Sequence, residues 1–322
     1  MSLQYEIAFW NLENLFDVDG SPRRSDKLQR ALGKDIDGWT DTLLNQKIGQ
    51  LASIILQMKG GSGPDILGVA EVENEYVMGL LAGSLGATGR TYAIVHHDSP
   101  DERGIDVAFI YDSQLFSVEA QFDHFVMRRT ATRDLLQVNF LTRMGRRLVV
   151  IANHWPARSG GQLESAAYRA IAGETLSYFH ERIWEVVGKD TPVIALGDFN
   201  DEPFDASITE HALGVRTKTK VLNATSARFL NLMWPLMGTG VGTLFYNNFP
   251  NMLDQFLVDK NMLKANAAIR VIAESVQVVR FPEMVDPGDY DKPVPFGGMG
   301  SPVNTSGFSD HFPISVTVIE KD

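Results

Sequence analysis

Short apolar runs that stop abruptly at polar residues constrain this chain more than any other feature. Ile66-Leu67-Gly68-Val69-Ala70, Ile105 to Tyr111, Leu148 to Ala152 and Val193 to Leu196 are each bounded by Gly, Pro, Asn or Asp. Runs this short suit strands better than helices. They are continuous rather than alternating, so both faces of their sheets should be covered, by helices or by a second sheet. Two helical stripes offer such cover. Leu44, Ile48, Leu51, Ile55 and Met58 follow a 3.6-residue period, with Thr40 or Asp41 as N-cap and Gly60-Gly61 as the stop. Tyr168, Ala172, Leu176, Phe179, Ile183 and Val187 form a second stripe closed by Gly188. Both read as core-facing surfaces that need no cofactor to explain them.

A chain of 322 residues has room for two domains. It shows no internal repeat and no low-complexity linker, so a single domain over 1–322 is expected, with an ordered core of about 5–320. The segment from Phe281 to Gly307 is rich in Pro and Gly and lacks periodicity, which predicts a long loop ending beside Ser309-Asp310-His311. The absence of cysteine excludes disulfide frameworks, thiolate metal sites and cysteine nucleophiles. A net charge of −11 opposes binding to long nucleic acid unless basic residues gather locally. No apolar run is long enough for a membrane-spanning helix. Met1-Ser2-Leu3 leads almost directly into a strand, a start that could have replaced a native leader, so both a cytoplasmic and an exported protein fit. Nothing in the sequence speaks to oligomeric state.

Chemistry collects where the runs end. Val193 to Leu196 leads into Gly197-Asp198-Phe199-Asn200, Ile7 to Trp10 into Asn11-Leu12-Glu13-Asn14, and Leu67 to Ala70 into Glu71-Val72-Glu73-Asn74. Val149 to Ala152 delivers Asn153-His154, and Leu253-Asp254 and Asp310-His311 bracket the C-terminal part. A carboxylate and an amide at a rigid strand end can hold water, a cation and a phosphoryl oxygen together. Carboxylate and amide oxygens suit a hard cation, Mg²⁺ first, with Mn²⁺ or Ca²⁺ as options. Taken singly, Asp198-Phe199-Asn200 also reads as an ordinary Asx turn and each histidine as a structural one. Arg158, close behind Trp155-Pro156, and Arg103, just before Gly104-Ile105-Asp106, are candidate phosphate clamps, although surface arginines on loops look the same. Asp106, inside an apolar run, needs a partner if buried.

Taken in order, Trp10 to Asn14, Glu71 to Asn74, Asn153-His154-Trp155-Pro156, Gly197 to Asn200, Leu253-Asp254 and Ser309-Asp310-His311-Phe312-Pro313 resemble the endonuclease/exonuclease/phosphatase superfamily of deoxyribonuclease I-like proteins. The resemblance spans nearly the whole chain. It implies an α/β (α+β) fold, a four-layer αββα sandwich of two mixed sheets flanked by helices, with the site at one edge. It also implies a Mg²⁺-dependent hydrolase that cleaves a phosphodiester or phosphomonoester by metal-assisted in-line attack of water. On this resemblance Glu71 is the principal metal ligand, with Asn11, Asp310 and Glu13 beside it. Asp254 orients His311, and Asp198 and Asn200 hold the nucleophile and a phosphoryl oxygen. The general base is either His311 or Asp198. His154 faces the phosphate or leaving group. Asn153, before it, joins the two arginines as a candidate phosphate contact. His154, together with Met252 in place of a basic residue before Leu253-Asp254, departs from the pattern of abasic-site endonucleases.

Three other readings compete. Calcineurin-like metallophosphoesterases share Gly-Asp and Asn-His motifs, but there Gly-Asp comes first and an Asp-x-His lies upstream, whereas here Asn153-His154 precedes Gly197-Asp198. An endo- or exonuclease acting on DNA or RNA is the nearest alternative, and a non-catalytic binding module of the same fold is the second. The acidic balance favours a small phosphoester over nucleic acid. Arg128, Arg129, Arg133, Arg143, Arg146 and Arg147 could grip a backbone, but solvated hairpin ends explain them as well. Gly238 to Gly242 reads as a turn, and His96-His97-Asp98, which follows a strand, as a loop rather than a helical metal motif.

Overall fold

A computed structural model describes residues 2–321. The strands begin with β1 (Leu3–Leu15), β2 (Ile66–Val72), β3 (Tyr92–His96), β4 (Asp106–Asp112), β5 (Phe116–His124), β6 (Leu135–Thr142), β7 (Arg147–His154) and β8 (Val193–Asp198). The series continues with β9 (Gly214–Val215), β10 (Phe229–Asn231), β11 (Leu244–Tyr246), β12 (Phe249–Asn251), β13 (Asp254–Asp259), β14 (Ile269–Val278) and β15 (Ile314–Glu320). One sheet has the order β14-β15-β1-β2-β4-β3 and the other β5-β6-β7-β8-β13-β10-β9, while β11 and β12 form a separate hairpin. The β1–β2 and β7–β8 pairs are parallel and most of their neighbours antiparallel, so both sheets are mixed.

Alternation along each run sorts its side chains into layers. Ile7 and Phe9 of β1 point between the sheets and meet Val138, Phe140, Val150, Ile194, Leu196 and Phe256 of the opposite sheet. A short α1 (Asp26–Leu32) comes first among the helices. Ala8, Trp10, Leu67 and Val69 point outward under α2 (Asp41–Gly61) and α3 (Glu75–Gly83). Val149, Ile151, Val193 and Ala195 do the same under α4 (Gln162–Val186). Both faces of these central strands are therefore covered, which is why their runs are apolar throughout rather than at alternate positions. Fully burying one such Leu, Ile or Phe contributes about 1.5–3 kcal/mol. The four-layer sandwich is the expected architecture.

The first helix stripe packs as its period predicts, capped by the Thr40 hydroxyl, which accepts from the Leu43 amide. Regular geometry breaks at Met58 to Gly60, where Lys59 and Gly60 turn left-handed. The second stripe is rotated from the expected one. Ala172, Leu176 and Ile183 are buried, but Tyr168 is exposed and takes the Arg128 guanidinium over its ring at 3.9 Å. The buried face runs instead through Arg169, His180 and Trp184. Arg169 hides from an apolar-period reading because its charge is neutralised inside the fold by Asp201, 2.7 Å away. The segment from Phe281 to Gly307 is largely irregular, as its composition predicts, yet it packs Met284 and Phe296 completely out of solvent.

Candidate active site

Strand register assembles the polar strand ends. In the second sheet His154 pairs with Asp198, and Asp198 pairs with Asp254 across an antiparallel neighbour, so three site residues stand in one row. In the first sheet Asn11 pairs with Ala70, which places Glu71 one step further on. The segment leading into β15 brings Asp310 and His311 to the same edge, tied to β1 by Ser309 Oγ donating to the Asn11 carbonyl and Trp10 Nε1 donating to the His311 carbonyl. Glu13, Asn14, Glu71 and Asn200 all have positive φ. Such backbone is costly for residues other than glycine, and its concentration at one sheet edge is typical of functional sites.

Asn11 bridges the carboxylates. Its Nδ2 donates to Glu71 Oε1 at 3.3 Å and Asp198 Oδ2 at 3.2 Å, and its Oδ1 accepts from the Glu13 amide. Glu71 Oε2 accepts from the Asn14 amide. Asp198 Oδ1 accepts from the Asn200 amide, and the Asn200 side chain donates to the Trp155 carbonyl. Burial, only partly countered by His311, raises Asp198 to about 7. His311 Nδ1 lies 2.7 Å from Asp254 Oδ2, and its Nε2 lies 3.9 Å from Asp198 Oδ2. Burial alone would lower His311, but the Asp254 charge and hydrogen bond, with Asp310 and Asp198, hold it well above the usual histidine range. His154 Nε2 faces Glu71 at 3.8 Å and Asp198 at 3.7 Å, too far for hydrogen bonds. Burial, with Arg133, Arg103 and His311, keeps that imidazole neutral.

Other expected residues stand elsewhere. Asn153 is fully buried, donating to the Ile151 and Leu196 carbonyls and accepting from Trp155 Nε1, so it shapes the strand end and does not face the site. The Arg158 guanidinium donates to the Asn200 carbonyl and lies on Asp201 and Asp205, beneath the Asp198-Asn200 turn. Both Glu13 carboxylate oxygens are occupied by the amides of Phe296 and Gly297, so Glu13 anchors the long loop. Arg103 is half exposed at the rim. It lines a cleft of about 430 Å³ together with Arg128, Arg133, Pro156 and Tyr168. Asp310 is raised by burial, eased by His311 and worsened by Glu71.

Three supporting residues escape sequence reading. Thr243 Oγ1 accepts from the amides of Leu253 and Asp254, and the Thr243 carbonyl accepts from Phe312, which joins the two halves of the Asp254–His311 pair. Arg133 donates to the carbonyls of His154 and Trp155. Lys47 is fully buried against the Glu13 carbonyl, where burial, eased by Glu13, lowers its ammonium to about 8. A lysine three residues after Leu44 and one before Ile48, on the apolar face of α2, was the one readable signal among the three.

Two stacked mixed sheets with outer helices, and a carboxylate, amide and imidazole cluster at one edge, define a class of phosphoester hydrolases. A family model described as endonuclease/exonuclease/phosphatase family matches residues 6–321. The chain belongs to that family, whose members are metal-dependent hydrolases of phosphate esters. Within its site Asp198, Asp254 and His311 form a cluster close enough to hold a metal ion. A family protein from Bacteroides thetaiotaomicron superposes with a TM-score of 0.60 at 16% identity, covering 100% of both chains. The mannosyl-6-phosphatase of Bacteroides thetaiotaomicron gives 0.58 at 16%, covering 98% of this chain and 99% of that one. D. rerio TDP2 complexed with a single-strand DNA product gives 0.58 at 13%, covering 98% of each. At these identities the likeness is one of fold. Comparison with curated proteins returns no match. Among the described residues no helix is long and apolar enough to cross a membrane.

Proposed function

We propose that this chain is a Mg²⁺-dependent phosphoesterase that hydrolyses a small phosphomonoester or phosphodiester by in-line attack of water. The observation that carries the reading is the convergence of Asn11, Glu71, His154, Asp198, Asp254 and His311, with successive contacts of 2.7 to 3.9 Å. Glu71 adds to the charge cost of the buried Asp310, and the two carboxylates, beside the Asn11 amide, offer oxygen donors that fit a hard cation. Asp254 is already engaged by His311 Nδ1, which favours Glu71 over the Asp198-Asp254-His311 cluster as the metal position. When bound, the cation would neutralise phosphate charge and make water more acidic.

The protein's own groups divide the remaining work. Asp198, raised to about 7 by burial, is suited to accept the proton of an attacking water, while the Asn200 amide steadies its other oxygen. His311, kept protonated by Asp254, is suited to donate from Nε2 to a phosphoryl oxygen. Neutral His154 is suited to hydrogen-bond the phosphate or the leaving oxygen. Of the two base assignments, this division favours Asp198.

The preference for a small substrate rests on charge distribution. The net charge is −11. The arginines that looked clustered in sequence are divided between the two ends of the second sheet. Arg147 opens β7 and His154 closes it, about 23 Å apart at ~3.3 Å per residue. Arg147 is paired with Glu119, and Arg146 reaches Glu320 and the Lys321 carbonyl. A panel of plasmid DNA, RNA, lipid-headgroup diesters and sugar phosphates, assayed with Mg²⁺, tests the proposal. Turnover of a small phosphoester supports it, and cleavage confined to nucleic acid replaces it with the nuclease reading.

A further inference from the structure

One strand over from Glu71, at the same edge of the first sheet, lies a second group of ligand-type side chains. Asp106 opens β4 opposite Val72, and His96 closes β3 beside it. Asp98 follows two residues later on the connecting loop. One ligand atom from each of His96, Asp98 and Asp106 falls within 4.8 Å of the others.

Hydrogen bonding leaves this group incomplete. Asp106 Oδ1 accepts from the Ser99 amide at 3.0 Å, and Oδ2 remains turned to His96. His96 Nε2 stands 3.3 Å from that oxygen, but out of line for a hydrogen bond, and it finds no other partner although its side chain is only 6% exposed. A buried imidazole nitrogen without a partner loses its hydration and gains nothing in return. Asp134, whose carboxyl is raised chiefly by burial and in part by the Asp106 charge, also carries a buried oxygen without a partner.

Tetrahedral ligands at zinc distances stand about 3.3 Å apart, close to the separation of His96 Nε2 and Asp106 Oδ2. Asp98 Oδ1 lies 3.9 Å from the other nitrogen of the ring on an 84% exposed side chain, free to turn inward. One imidazole with two carboxylates suits Zn²⁺ or Mn²⁺ better than Mg²⁺, which prefers oxygen alone.

We propose that His96, Asp98 and Asp106 form a second divalent-cation site, separate from Glu71, which takes Zn²⁺ or Mn²⁺ and clamps the base of the loop between β3 and β4. That loop carries Arg103 and carries Asp101, which pairs with Arg133 at 3.2 Å. Arg133 in turn holds the His154 and Trp155 carbonyls, so the clamp steadies the wall of the cleft beside the catalytic edge. The site does not depend on the Glu71 assignment.

Calorimetric titration with Zn²⁺ tests it in the Glu71→Gln background, which silences the family site. Glu71→Gln should retain one Zn²⁺-binding event that millimolar Mg²⁺ does not displace. Adding Asp98→Asn, a surface change that leaves folding intact, should weaken that event at least tenfold. Adding His96→Gln should abolish the imidazole-dependent visible absorption of the Co²⁺-loaded protein, with circular dichroism as the folding check. Unchanged Zn²⁺ affinity in Glu71→Gln/Asp98→Asn, or no Zn²⁺ binding in Glu71→Gln, would overturn the site in favour of a metal-free His96–Asp106 contact closing the loop.

Discussion

His311 and Asp254 show how single residues acquire chemistry from their neighbours. The 2.7 Å hydrogen bond at Nδ1 fixes the imidazole's orientation and leaves Nε2 for the site. Asp254→Asn should therefore match His311→Ala, each lowering turnover by roughly 10²-fold or more with the fold intact. Near-normal steady-state turnover in Asp254→Asn, with unchanged circular dichroism, would break the pair. Asp17, just beyond β1, offers a stability measurement. Burial would raise its carboxyl, but hydrogen bonds from Arg23, Ser21 and the Val18 amide outweigh that and hold it at about 2. A depressed folded-state value contributes stability that is fully present above the unfolded carboxylate range near pH ~4 and lost as pH falls through about 2. Urea unfolding should find Asp17→Asn less stable than wild type at pH 7, with the gap closing between about pH 4 and pH 2. A gap independent of pH would mean that the charge on Asp17 contributes nothing.

Strand β8 is the element on which the site turns, and Gly197 is its tightest point. A Cβ there would fall 2.1 Å from the Asn153 carbonyl oxygen, in the parallel register that also aligns His154 with Asp198. Neither backbone can yield without moving a site residue. Gly197→Ala should cost about 1–3 kcal/mol, read as a lower midpoint in thermal or denaturant unfolding, and should lower turnover in the protein that remains folded. Wild-type stability and turnover together would show that the β7–β8 contact is looser than its geometry. The long loop from Phe281 works in the opposite direction. It is held at Phe296 and Gly297 by Glu13, so a residue that sequence offers as a ligand serves instead to dock the rim.

For the whole molecule we propose that residues 5–320 fold as one unit, because the same buried cluster draws from both sheets and from both ends of the chain. Unfolding followed by tryptophan fluorescence and by far-ultraviolet circular dichroism should give one coincident transition, and two separated transitions would divide the chain. Charge at this scale also bears on substrate. Weak DNA binding with little salt dependence, measured with Ca²⁺ to slow cleavage, fits a small phosphoester. A steep logarithmic slope, about −0.9 per neutralised phosphate on duplex DNA, that is reduced by charge reversal at Arg128, Arg129, Arg146 and Arg147 would favour a nuclease.

The sequence by itself determined the layers and the ends of the strands. Apolar runs bounded by turn residues fix where β2, β4, β7 and β8 lie, and their polar sequels Glu71, His154 and Asp198 are legible because a strand ends where burial ends. Only the tertiary structure decided which of those polar residues face one another. Asn153, Glu13 and Arg158 carry the right atoms but spend them on carbonyls, amides and carboxylates of distant segments. Thr243, Arg133 and Arg169 do their work through partners far away along the chain, from 10 residues for Thr243 with Leu253 upward. Periodicity records which face of an element is buried; it carries no record of which distant group neutralises a buried charge or accepts a buried hydrogen bond, since that pairing exists only once the sheets have closed on each other.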